Sequence, residues 1–192
     1  MTIYIKNMVC IRCKMIVRKI LDDIGIEYWN VEFGLAKLKQ PINEAQKKLI
    51  SNALRLWGLE ILQDSTGILV EKIKGSVMKM IRDDETVNRL KTSHYLSRNL
   101  HYNYTYLANV FARETGICLS DYIIAHKIQK AKEMLMYENL TVSEIAWKLN
   151  YSSVAHLSNQ FVKITGMRPS IFKKSGQKTF SPLEHLGMME VA

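Results

Sequence analysis

Cysteine is scarce in this chain: three residues in 192, two of which, Cys10 and Cys13, stand three positions apart. That is too few for a disulfide framework, and it predicts a reducing, cytoplasmic setting with both thiols reduced. No apolar run approaches the ~20 residues that cross a bilayer, so no membrane partner is expected. The N-terminus lacks a basic stretch followed by an apolar core and a cleavage site, so no secretion signal is expected. Histidine is absent from residues 1–93, which leaves a Cys/His zinc site in that half without ligands. No catalytic triad, phosphate-binding loop or metal-hydrolase spacing is present either. The expectation is that this protein is not an enzyme.

What is present is a globular composition, 47% hydrophobic and 23% charged, over a length that suits two small domains. The net charge of +9 invites a polyanion partner, and its distribution says more. It is +4 over residues 1–74, +1 over 75–92, +5 over 93–174 and −1 over 175–192. No block of Lys and Arg forms a basic arm. If nucleic acid is bound, a folded surface binds it.

Residues 2–6, TIYIK, alternate as a strand with Ile3 and Ile5 on one face. Cys13, Ile16, Val17, Ile20, Leu21 and Ile24 then form a helical stripe, stopped by Gly25. IEYWNVEF and LAKLK, on either side of Gly34, read as two strands joined by a tight turn. Asn43 with Gln46 predicts a capped helix ending at Gly58, with Leu49, Ile50, Ala53, Leu54 and Trp57 on its apolar face. LEILQ (59–63) supplies a fourth strand before a turn at DSTG. Strand, helix, strand, strand, helix, strand is the split βαβ order of an α+β ferredoxin-like domain, here residues 1–67. Residues 68–92 read as a helical connector, with Val70, Ile73, Val77, Met80 and Ile81 in phase and Gly75 as a weak point. Residues 93–174 read as an all-α domain, and 175–192 as a frayed tail.

The all-α half contains a repeat. YLSRNLHYNYTYLANVFARETG (95–116) aligns with EIAWKLNYSSVAHLSNQFVKITG (144–166), the second copy carrying one extra residue in its turn. Each copy reads as a short helix, a turn near Tyr102 or Tyr151, and a second helix ending at Thr-Gly. A helix over about 120–137 separates them. In the later copy Leu157, Phe161 and Ile164 are expected to pack inward, leaving His156, Asn159, Gln160 and Lys163 outward. In the earlier copy Leu107 and Phe111 anchor, while Thr105, Tyr106, Asn109 and Arg113 face out. Amides, an imidazole and cations on an exposed helix face suit base edges and phosphates in a major groove. The bland alternative is a pair of ordinary solvated helical hairpins, and the matching copies weigh against it.

Residues 93–174 resemble the DNA-binding domain of the AraC/XylS transcription regulators. The resemblance rests on the Phe-x4-Gly ending of both second helices, on Ile128 and Ala131 of the linking helix, and on Gly166, Pro169 and Ser170. It implies a bacterial regulator that binds double-stranded DNA and works with RNA polymerase. Carried over by position, the outward residues become base-contact candidates, and Ser143, Lys173 and Lys174 become phosphate candidates. Lys127 stands where that family usually has Arg. Cys118, beside the first motif, is expected to be a buried packing residue.

Residues 1–65 are similar to the heavy-metal-associated domain of copper chaperones. Met8, Cys10 and Cys13 meet its Gly-Met-x-Cys-x-x-Cys signature, with Asn7 in place of the glycine. Two thiolates suit Cu(I) or a similarly soft ion, and a homodimer would bring four cysteines to one ion. Two alternatives stay open. The helix N-terminus at Cys13, flanked by Arg12 and Lys14, favours thiolate and hence thiol redox chemistry. The fold could also serve only for dimerisation or another small ligand.

Overall fold

The computed structural model describes residues 1–8, 10–82, 91–138 and 140–175. Residues 83–90 of the expected 68–92 connector and residues 176–192 of the expected 175–192 tail lie outside the described residues. Two compact units result, Met1–Ser76 and Val77 onward. Among the described residues no helix is long and apolar enough to cross a membrane.

The first unit runs β1 (Thr2–Lys6), α1 (Ile11–Ile24), β2 (Tyr28–Glu32), β3 (Leu35–Leu38), α2 (Glu44–Arg55) and β4 (Glu60–Leu62), followed by the start of α3 (Ser65–Arg82). The strands form one antiparallel sheet in the order β2-β3-β1-β4. Ile3 and Ile5 alternate into a core shared with Val17, Ile20 and Leu21 of α1 and Ile50 and Leu54 of α2. Tyr4 points to the other face, where Lys72 of α3 lies 5.1 Å above its ring. Local chemistry sets the helix ends as expected. Gly25 caps α1 at φ 75°, a left-handed conformation that glycine adopts without steric cost. Asn43 and Gln46 exchange reciprocal hydrogen bonds of 2.8 and 3.0 Å at the start of α2.

Three expectations for this unit need correction. Leu49 and Trp57 are 56% and 61% exposed: Leu49 lies off the buried Ile50–Leu54 ridge of α2, and Trp57 lies in the turn past the end of that helix at Arg55. The sequence DSTG is the first turn of α3, not a free turn: Asp64 accepts from the Gly67 N–H, and its carbonyl accepts from Ile68 at 3.1 Å. Gly75 is more than a weak point in α3, since a Cβ there would sit 2.7 Å from the Phe33 carbonyl oxygen.

The second unit contains α4 (Thr92–Leu100), α5 (Tyr104–Thr115), α6 (Leu119–Tyr137), α7 (Val142–Lys148), α8 (Val154–Thr165) and α9 (Pro169–Ser175). The long α6 is its axis, in contact with α5, α7, α8 and α9. It buries Tyr122, Ile123, Ile128, Ala131, Met134 and Leu135 along its length. Phe111 of α5 and Phe161 of α8 are fully buried, and cutting either to alanine would cost about 3–5 kcal/mol.

Candidate nucleic-acid interface

The two helix-turn-helix copies are alike in backbone detail. The residue ending each first helix region, His101 and Asn150, is left-handed at φ 58° and 53°. Asn103 caps α5 by accepting from the Thr105 N–H at 2.8 Å, and Ser153 caps α8 by accepting from the His156 N–H at 3.0 Å. Gly116 and Gly166 close the second helices at the same φ of 74°. Thr115 and Thr165 each donate back to the carbonyl of the buried Phe four residues earlier, at 2.7 Å in both copies. The similarity continues past the glycine. Tyr122 of α6 packs on Phe111 with ring centroids 5.1 Å apart, and Phe172 of α9 packs on Phe161 at 5.4 Å. Each unit of the repeat is therefore three helices, and α9 matches the first two turns of α6.

This framework presents the candidate contacts in two rows. Thr105, Tyr106, Asn109 and Arg113 are exposed along α5; His156, Asn159 and Lys163 are exposed along α8, with Gln160 half-buried. Ser143 is exposed in the first turn of α7, and Lys173 and Lys174 are exposed on α9. Lys173 already donates to the Leu140 carbonyl at 3.1 Å, across the loop before α7. Glu144 completes a capping box with Thr141, and those hydrogen bonds hold its carboxyl below the usual carboxylate value. A shallow groove of about 210 Å³ runs beside Asn159, lined also by Val154, Ser158, Val162 and Arg168.

The turn of the second motif is tied to the linking helix. The Lys127 ammonium lies 5.2 Å over the Tyr151 ring, and burial pulls its pKa down. Burial pushes the Tyr151 phenol up to about 12, and its hydroxyl has no hydrogen-bond partner among the described residues. A cation–π contact needs no planar fork, which is why lysine serves at this position.

Two expectations fail here. Ile164 is 45% exposed rather than inward. The repeat itself aligns it with Glu114, which is also exposed, so the buried stripe of α8 is narrower than its apolar residues suggest. Cys118 is exposed, because it precedes α6 as its cap residue rather than packing beneath it. Its counterpart in the second copy is Arg168, an exposed cation beside the groove. That alignment was available in the sequence and marks Arg168 as a candidate missed there.

Comparison with known proteins agrees with this geometry. Residues 96–175 match the family model described as a helix-turn-helix domain. The uncharacterized HTH-type transcriptional regulator YtdP of Bacillus subtilis is 33% identical over 79 residues, 41% of this chain and 10% of that protein. The uncharacterized transcriptional regulatory protein YesN of the same organism is 31% identical over 151 residues, 75% of this chain and 41% of that protein. The solved C-terminal domain of AraT, a response regulator from Geobacillus stearothermophilus, aligns with 61% of this chain and 95% of its own, at 22% identity and a TM-score of 0.49. The chain spans less than half the length of each of these curated relatives.

At the other end of the chain, Cys10 is the cap residue of α1 and Cys13 lies in its first turn. Their sulfurs are 3.5 Å apart. Asn7 adopts φ 69° and donates from its amide to the Gly58 carbonyl at 3.0 Å. Asparagine tolerates this left-handed conformation better than other residues with a Cβ, so it stands in for glycine and ties the cysteine loop to the end of α2. Met8 beside it is buried. Among the described residues no group of three or more His, Cys, Asp or Glu side chains gathers. The donor set is two thiols.

Proposed function

We propose that this protein is a sequence-specific DNA-binding transcription regulator. The observation that carries the reading is the duplication, two motifs whose second helices each start at a side-chain cap, end at a left-handed glycine and carry an exposed polar row. Its organisation is a ferredoxin-like, heavy-metal-associated-like domain at 1–67, a connector at 68–92, the DNA-binding domain at 93–174 and a tail at 175–192. Thr105, Tyr106, Asn109 and Arg113 face one segment of major groove, and His156, Asn159, Gln160 and Lys163 face another. Ser143, Lys173 and Lys174 meet phosphates, joined by Arg168. The partners are double-stranded DNA, RNA polymerase and a second copy of the chain, in the bacterial cytoplasm. His156→Ala and Asn159→Ala should each lower discrimination at particular bases by about 1–3 kcal/mol. Unchanged sequence preference in both variants refutes α8 as a reading helix.

The effector in this reading is a soft metal ion such as Cu(I), held by Cys10 and Cys13. Sulfurs 3.5 Å apart can share one ion through bonds of about 2.3 Å, and a pair of thiols suits a soft ion. The bound ion would supply a signal rather than a reaction. The same short separation favours a second reading, reversible disulfide formation between the two thiols. An anaerobic Cu(I) titration against a competing chelator separates them, using the reduced chain and its Cys10→Ser/Cys13→Ser variant. Tight, cysteine-dependent binding supports the metal. Equal, weak binding by both excludes it and leaves redox chemistry, dimerisation or another ligand.

A further inference from the structure

The two recognition helices hold their third residue differently. Tyr106 in α5 and His156 in α8 occupy the same place in the repeat, and both are exposed. Tyr106 stacks on Tyr102, with ring centroids 5.3 Å apart and planes 25° from parallel. His156 is fixed otherwise. Its backbone N–H donates to Ser153 Oγ, its ring meets Tyr151 edge-on at 5.2 Å, and its Nδ1 lies 3.0 Å from Ser152 Oγ. Ser152 is the one residue by which the second turn exceeds the first, so it has no counterpart beside Tyr106.

An imidazole whose Nδ1 is engaged by a hydroxyl has only Nε2 left for a partner. Nε2 carries a hydrogen in the imidazolium and in the tautomer where Ser152 donates to Nδ1. A single N–H donor in the major groove meets acceptors on three of the four bases, N7 of either purine, O6 of guanine and O4 of thymine, while cytosine offers only its amino donor. We propose that Ser152 is a positioning residue that presents His156 Nε2 as a donor to an acceptor on a base edge, so that one position of the recognised site takes a purine or thymine and excludes cytosine. This rests on the assignment of α8 as a reading helix.

The test is selection of bound sequences from a pool of random duplexes by the full chain, with bound DNA sequenced. The position that His156→Ala flattens identifies the base opposite the imidazole, and that base should be adenine, guanine or thymine. Ser152→Ala should weaken the preference there by about 3- to 10-fold, the value of one hydrogen bond, and leave other positions unchanged. Ser152→Thr, which keeps the hydroxyl, should retain it. The double variant Ser152→Ala/His156→Ala should lose no more than His156→Ala alone. A cytosine at that position, an unmoved preference in Ser152→Ala, or additive losses in the double variant overturn the proposal while α8 remains a reader. If the wild type enriches no sequence, the reading-helix assignment falls and this proposal with it.

Discussion

Replacing Lys173 and Lys174 together by alanine should change how DNA affinity depends on salt more than how it depends on sequence. Among the described residues, five exposed cations lie on α5, α8 and α9 or in the turn before α9: Arg113, Lys163, Arg168, Lys173 and Lys174. If each meets one phosphate, log K against log salt has a slope of about −4.5, and affinity falls roughly 500-fold between about 50 and 200 mM salt. Without the two lysines the slope becomes about −2.7 and the same change costs roughly 40-fold. The bond from Lys173 to the Leu140 carbonyl does not prevent this, because an ammonium has three donors. Fluorescence anisotropy of a labelled duplex, titrated at several KCl concentrations, measures both slopes. An unchanged slope in the double variant would show that α9 does not meet the backbone. A wild-type slope near zero would refute DNA binding by this surface.

Gly75→Ala tests the first unit. Helix propensity alone predicts a gain of about 1 kcal/mol, but the new Cβ would press on the Phe33 carbonyl at 2.7 Å. We expect a net loss of about 1 kcal/mol, since overpacking against backbone costs about 1–3 kcal/mol. Urea unfolding followed by fluorescence in a Trp147→Phe background reads it through Trp29 and Trp57, and a higher midpoint would refute it. Glu71 supplies a pH test. It is 3% exposed and bonded to Lys74 at 2.7 Å, and burial raises its carboxyl above 4.5 against the pull of Lys74 and Lys6. The folded state therefore keeps a proton that the unfolded chain gives up. The associated stability is present below 4.5 and is lost as pH rises through the raised value. Glu71→Gln should lose less stability than wild type over that rise, and parallel profiles would exclude Glu71 as the group responsible.

Much of the local structure was legible because it depends on neighbours within a few residues. The α1 stripe, the Gly25 cap and the Asn43–Gln46 box are set by helical period and by hydrogen bonds spanning three or four positions. The duplicated motif was legible for the same reason, its anchors and glycines recurring at matched spacing. Leu49 and Ile164 were misread because phase tells which side of a helix is apolar and not how much of that side is covered, and Trp57 because α2 stops at Arg55, before it.

By itself the sequence determined the order of elements, the two helix-turn-helix copies and the cysteine pair. These follow from backbone propensity and short-range side-chain chemistry. Only the tertiary structure decided that Glu71 is buried, that Gly75 must be glycine against Phe33, that Asn7 ties the cysteine loop to Gly58, and that Lys127 reaches the Tyr151 ring. Each of these joins residues more than twenty positions apart, except the burial of Glu71, which depends on what packs around it. Packing between elements brings such residues together, and no periodicity along the chain encodes it.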